Sequence, residues 1–278
     1  MNQKIIPWIL HAIVIVFIII AAIFTLSPII LAILNSLKTN GEIYTNILSL
    51  PEKWQFNNYV DVFKRTNYLR SLLNTVILVV LSITGIVFAS SMAGYKLART
   101  KTKLSGILFG VFIISMLIPF HSIMIGLVKV SHDLHVQGSL IGLAIIYVGI
   151  GSPMAIFLYH GFTKNIPKEI EEAAVIDGCN EFQLYIKVVF PILRPITATI
   201  MILNALWIWN DFLLPLLMIT DKDKYTLLLS TKMLFGQYNS DWSQILAILI
   251  MALLPIIIIY IFMQKHIVKG ISDGAIKS

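Results

Sequence analysis

Apolar residues along this chain gather into long runs separated by short polar links. Six runs, at 8–34, 72–97, 105–127, 139–161, 193–219 and 243–264, approach or exceed the roughly 20 residues that an α-helix needs to cross the hydrocarbon core of a bilayer. Lipid offers the backbone no hydrogen-bonding partner, so each run predicts a helix, which satisfies its own. The pattern predicts an all-α polytopic membrane protein, six transmembrane helices forming a single transmembrane domain over 1–278. Pro28, Pro119 and Pro153 interrupt runs. Such prolines are tolerated where neighbouring helices or waters take up the freed carbonyls, and they leave other span counts open. The first run is too long for a signal-peptide core and has no convincing cleavage site, so it reads as a retained span.

The pattern changes between the fourth and fifth runs. Residues 165–190 carry polar positions at helical spacing and predict two short helices joined by a turn. Asn165 is placed to cap the first, with Pro167 in its first turn. Glu169, Glu171 and Glu172 lie near the positive end of its dipole. Ala173 and Ala174 are strong helix formers, and Gly178 can end the helix in a left-handed conformation. Asn180 with Gln183 reads as a capping box opening the second helix, whose apolar stripe is Phe182, Ile186, Val189 and Phe190. Pro191 begins the next run. A small-residue, acid-edged helix suits insertion into a groove on another protein. Its acids argue against lying on an anionic membrane surface.

Charge sets the orientation. The net charge is +7 and the pI about 9.4, but the basic residues flank apolar runs, which points to membrane topology rather than nucleic acid. Lys96, Arg99, Lys101 and Lys103 lie between the second and third runs, Lys164, Lys168, Lys187 and Arg194 between the fourth and fifth, and Lys265, Lys269 and Lys277 in the tail. These segments and both termini are therefore expected in the cytoplasm. The segment 35–71, assigned outside, conflicts with this through Lys38, Lys53, Lys64, Arg65 and Arg70, although Glu42, Glu52 and Asp61 offset them. Trp207, Trp209 and Trp242 suit an interfacial aromatic belt. Gly85, Ala89 and Ala93, and separately Gly106 and Gly110, have the spacing of close helix packing.

Composition sharpens the class: 58% of the 278 residues are hydrophobic and 13% charged, against about a quarter charged in soluble domains. The lone Cys179 excludes an intrachain disulfide. No phosphate-binding loop, zinc-protease helix motif, nucleophile elbow or paired intramembrane carboxylate occurs. His132 and His135 flank Asp133 without further ligands, so a solvated loop is expected there rather than a metal site. No catalytic residue, metal or cofactor is expected. If ATP drives this protein, another chain hydrolyses it.

Glu172-Ala173-Ala174, Gly178, Ile186 and Phe190-Pro191 resemble the EAA loop of binding-protein-dependent ABC importer permeases. FNNY at 56–59, NT at 74–75, YKLAR at 95–99, MLIPF at 116–120, WNDFLLPL at 209–216 and the tail QKHIVKGISDGAIKS resemble the carbohydrate branch, the maltose-type G subunit and its multiple-sugar relatives. The resemblance covers nearly everything after about residue 50. It implies that 165–190 is a cytoplasmic coupling loop between spans four and five, docking into an ATPase cleft through Glu172, Ala173, Ala174, Asp177 and Gly178, with Glu172 facing a basic partner residue.

The resemblance further implies a permease subunit of an ATP-driven sugar importer in a prokaryotic cytoplasmic membrane. Its partners would be a second homologous permease, two ABC ATPase subunits that bind the ATP, an extracytoplasmic sugar-binding protein and the lipid bilayer. Asn204, Asn210 and Asp211 of the fifth run are candidates for lining the path or meeting the binding protein, as is the segment 221–241. The alternatives are an amino-acid or peptide ABC permease, which would not be expected to carry this tail, and a proton-coupled secondary transporter. The latter needs titratable groups on several spans and internal repeats.

Overall fold

The computed structural model describes residues 5–236 and 240–275. In chain order the helices are α1 (Ile5–Ser36), α2 (Asn40–Thr45), α3 (Asn57–Arg65), α4 (Tyr68–Arg99), α5 (Lys103–Met116), α6 (Phe120–Asp133), α7 (Leu140–Lys164), α8 (Lys168–Ile176), α9 (Glu181–Ile192), α10 (Arg194–Trp209), α11 (Leu213–Met218), α12 (Leu227–Ser230) and α13 (Trp242–Ala275). Among the described residues there is no strand, only an isolated bridge between Phe235 and Ser240.

Among the described residues four helical stretches are each long and apolar enough to cross a membrane, in α1, α4, α7 and α13, and two bent pairs raise the number to as many as six. Pro28 and Pro153 lie inside unbroken helices. Pro119, by contrast, caps α6 at a 106° bend from α5. A proline removes one N–H and pushes the preceding residue out of helical geometry, which ends α5 here. The second bend, 72° between α9 and α10, falls at Leu193 between Pro191 and Pro195. The fifth run is therefore not one helix over 193–219. Helix α10 stops at Trp209 and α11 follows a break.

The chain divides into two compact units. In the first, residues 1–68 and 231–253, Asn58 and Tyr59 of the FNNY stretch tie down the end of α1. The Asn58 amide donates to the Ser36 and Lys38 carbonyls at 2.8 and 2.9 Å, and the Tyr59 hydroxyl pairs with Ser36 Oγ at 2.7 Å. Lys38 is fully buried, its ammonium donating to the carbonyls of Asn46 and Ile47 and to Ser49 Oγ. Arg65 pairs with Asp241 at 3.0 Å. Val62, Leu234, Ile245 and Ile248 form the core beside it.

In the second unit, residues 69–230 and 254–278, α5 packs on α7 and α7 on α10. Phe109 stacks on Phe157 and His160. Between helices in lipid there is no water to escape, so van der Waals fit and hydrogen bonds hold such faces together. Gly94 of α4 sits so close to Tyr159 and the His160 amide that an added Cβ would lie 2.6 Å from Tyr159 Cβ. The expected small-residue stripe is shifted: Gly85 meets Val148, but Ala89 is exposed, and Gly106 and Gly110 face open space. Small residues at the right spacing cannot by themselves reveal which face meets a neighbour. Trp209 is buried in the fold, so it forms no lipid-facing belt, whereas Trp207 and Trp242 are part exposed.

The NT pair of α4 pins a distant segment of the same unit. The Asn74 amide donates to the carbonyls of Asp223 and Tyr225 at 2.9 and 3.0 Å, and Thr75 Oγ1 accepts the Leu227 N–H at 2.9 Å.

Candidate functional site

The segment between α7 and α10 is built from local stop signals. Helix α7 ends with Asn165 as its C-cap, the backbone N–H donating to the Phe162 carbonyl at 3.1 Å. Asn165 therefore does not cap α8. That position falls to Pro167, which offers no side-chain hydrogen bond, because the buried Ile166 and the fixed proline φ separate Asn165 from the helix. Glu169 and Glu171 occupy the first turn of α8 and complement its exposed N–H groups.

Helix α8 closes as the sequence predicts. Gly178 adopts φ +86. The Cys179 N–H donates to the Ala174 carbonyl and the Gly178 N–H to the Val175 carbonyl, both at 3.0 Å, the paired bonds of a Schellman C-cap. Asn180 then opens α9 through a reciprocal capping box with Gln183, at 2.9 and 3.2 Å.

The two faces of α8 have different fates. Ala174 is its buried residue, and Glu171 turns inward to the end of α4. Successive helix positions point about 100° apart, so Glu172 faces out where Glu171 faces in. Glu172, Ala173, Val175, Ile176, Asp177 and Gly178 are all exposed, Ile176 by 86%. The five residues assigned to coupling, Glu172, Ala173, Ala174, Asp177 and Gly178, thus share one short helix and its cap, four exposed and Ala174 turned in.

Sequence reasoning placed Glu171 at the start of α8 but missed its partners on α4. The Arg99 Nε donates to its Oε1 at 2.7 Å, and the Tyr95 hydroxyl donates to Oε2 at 2.9 Å. The signal was the Tyr and Arg of YKLAR, four apart at a helix end and facing one side. The expected stripe of α9 also divides. Val189 is buried, while Phe182 and Ile186 are exposed. A π-helical stretch over Tyr185–Val189 changes the phase of the residues that follow. The Tyr185 hydroxyl bonds Ser91 Oγ at 2.6 Å.

The polar residues placed on the fifth span do not converge. Asn204 is buried against Gly151, and its amide donates to its own helix at Ile200. Asn210 caps the end of α10 through Leu206. Asp211 Oδ1 accepts the Leu213 and Leu214 N–H groups at 2.9 and 3.3 Å, and Oδ2 accepts the Tyr147 hydroxyl at 2.8 Å. Among the described residues no group of three or more His, Cys, Asp or Glu side chains is placed to hold a metal ion.

Residues 85–273, which include α8 and its cap, match the family described as binding-protein-dependent transport system inner membrane component. The chain belongs to this family. Among relatives of this permease family, a probable starch degradation products transport permease of Thermoanaerobacterium thermosulfurigenes is 41% identical over 91% of this chain and 92% of its own length. A multiple sugar-binding transport permease of Streptococcus mutans is 33% identical over 93% and 94%. A melibiose/raffinose/stachyose import permease of Bacillus subtilis is 32% identical over 90% and 91%. The fold resembles a chain of a bacterial ABC transporter involved in alginate import, with a TM-score of 0.78 at 22% identity, covering 95% of this chain and 98% of that one. The architecture is that of an ABC importer permease, a multi-pass membrane protein.

Proposed function

We propose that this permease is one membrane subunit of an ATP-driven, binding-protein-dependent sugar importer. The observation that carries the reading is the outward face of α8, where Glu172, Ala173, Ile176 and Asp177 stand exposed on a helix held from behind. That surface docks a separate ATPase subunit. The sugar permeases among its relatives support a sugar as cargo. Amino-acid or peptide import and proton-driven transport have no comparable support.

In this reading the chain pairs with a second, homologous permease, two ATPase subunits dock on the two loops, and an extracytoplasmic sugar-binding protein presents the cargo. ATP is bound by the partner chains. ATP binding moves α8, and the spans rock between inward-open and outward-open states whose different contacts couple the two ligands. The 165–190 segment and both termini lie in the cytoplasm. Of the basic residues of 35–71, Lys38 is caged by carbonyls, Arg65 pairs with Asp241 and Arg70 lies 3.8 Å from Asp223, while Lys53 and Lys64 stand exposed. Asn204, Asn210 and Asp211 serve mainly as packing and capping residues, with the exposed Asn210 left to meet the binding protein.

Affinity purification of the tagged chain in mild detergent tests the reading. Recovery of a second multi-span permease and an ATPase is expected. Recovery of the chain alone, folded and active in proton-driven uptake, would overturn it.

A further inference from the structure

Helix α8 has little apolar anchorage. Ala174 is its one buried residue, and its backbone neighbours are α9 and the π-helical stretch. What ties it to a spanning helix is polar. Arg99, the last residue of α4, reaches Glu171 across 72 positions, with Nε 2.7 Å from Oε1 and Nη2 on the same oxygen. The same Nη2 donates to the Ile166 carbonyl at 2.8 Å, on the link into α8. Tyr95, one turn earlier, takes the second carboxylate oxygen. One side of α4 therefore grips α8 and its lead-in at three acceptor atoms.

Burial separates this contact from an ordinary surface pair. The Arg99 and Glu171 side chains are 14% and 13% exposed, whereas the neighbouring Lys96–Glu181 pair, at 3.3 Å, is 68% and 92% exposed. Exposed pairs give way to water and salt, while a desolvated, multiply bonded carboxylate is held in one geometry. At the level of Gly94, α4 is pressed against α7 at Tyr159. Contacts thus run without a break from α8 to α4 and from α4 to α7.

We infer that Arg99 is a positioning residue that, acting through Glu171 and helped by Tyr95, makes α8 and α4 move as one body, so that docking-helix motion drives the spans. This rests on the reading that α8 docks an ATPase. The test uses the whole importer in membrane vesicles, with maltotriose, melibiose and raffinose as probes and sugar transported per ATP hydrolysed as the readout. Glu171→Gln keeps the side chain's shape and removes its charge. It should co-purify the ATPase as wild type does, yet transport about tenfold less sugar per ATP. The double reversal Arg99→Glu with Glu171→Arg should recover most of that loss, as a coupled pair does in a double-mutant cycle. Lys96→Ala should match wild type. A Glu171→Gln importer with the wild-type ratio, or a double reversal no better than its single parents, would overturn the inference. Wild-type protein that captures no ATPase and transports none of the sugars would instead overturn the proposed function.

Discussion

The 165–192 segment and the turn at 204–214 differ in how their polar groups are used. Around the turn they are largely spent, Asn210 being the exposed one of the three. Both Asp211 oxygens accept bonds from within the unit, and the Asn204 and Asn210 amides donate to their own helix. On α8 the groups are divided. Glu171 is consumed by Arg99 and Tyr95, while Glu172, Ile176 and Asp177 stand exposed. A polar residue in a membrane protein is thus weak evidence of a site until its partners are known. The unspent face of a helix held from behind is stronger evidence.

The comparison can be broken most sharply at Gly178. Proline there cannot reach φ +86 and removes the N–H that closes on Val175. Gly178→Pro should abolish uptake and ATPase capture while the chain still reaches the membrane. Wild-type uptake by that variant would contradict the docking role. Asp211→Ala comes next. It strands the Tyr147 hydroxyl and uncaps α11, at a cost of about 1–3 kcal/mol. It should lower the melting temperature in detergent but leave sugar transported per ATP unchanged in the protein that remains folded. Ile176→Ser should do the reverse. Its stability should change by less than about 0.5 kcal/mol, as at most exposed positions, while ATPase co-purification falls.

The smallest effect lies at Glu42, in the cap of α2. The Thr39 N–H, then the Thr39 hydroxyl and the Glu52 N–H, hold its carboxyl below the ordinary value of 4.5. A depressed carboxylate contributes stability at neutral pH and loses it as pH falls through its folded-state pKa. Amide exchange across residues 40–46 should therefore accelerate as pH drops below 4.5, after correction for intrinsic rates. Glu42→Gln should remove that dependence.

The helical class, the position of the loop, the Gly178 turn and the Asn180–Gln183 box were legible because each depends on a few adjacent residues. Three features were not. The bends at Pro119 and between Pro191 and Pro195 were hidden because proline also lies inside the unbroken α1 and α7. The π-helical stretch that splits the α9 stripe has no periodic signature. The grip of Arg99 on Glu171 joins positions 72 apart, which local spacing cannot relate. The EAA resemblance singles out Glu172, but which of two adjacent acids faces inward is decided by the rotation of α8 against α4.

The central claim is that the exposed face of α8 meets another protein and the 204–214 turn does not meet that same one. Photo-crosslinking in intact cells tests it directly, with the photoreactive side chain placed at Ile176 in one strain and at Asn210 in another. The account predicts a crosslink from position 176 to the ATPase subunit and none to it from position 210. An ATPase crosslink from 210, or labelling of 176 only by a protein outside the cell, would contradict it.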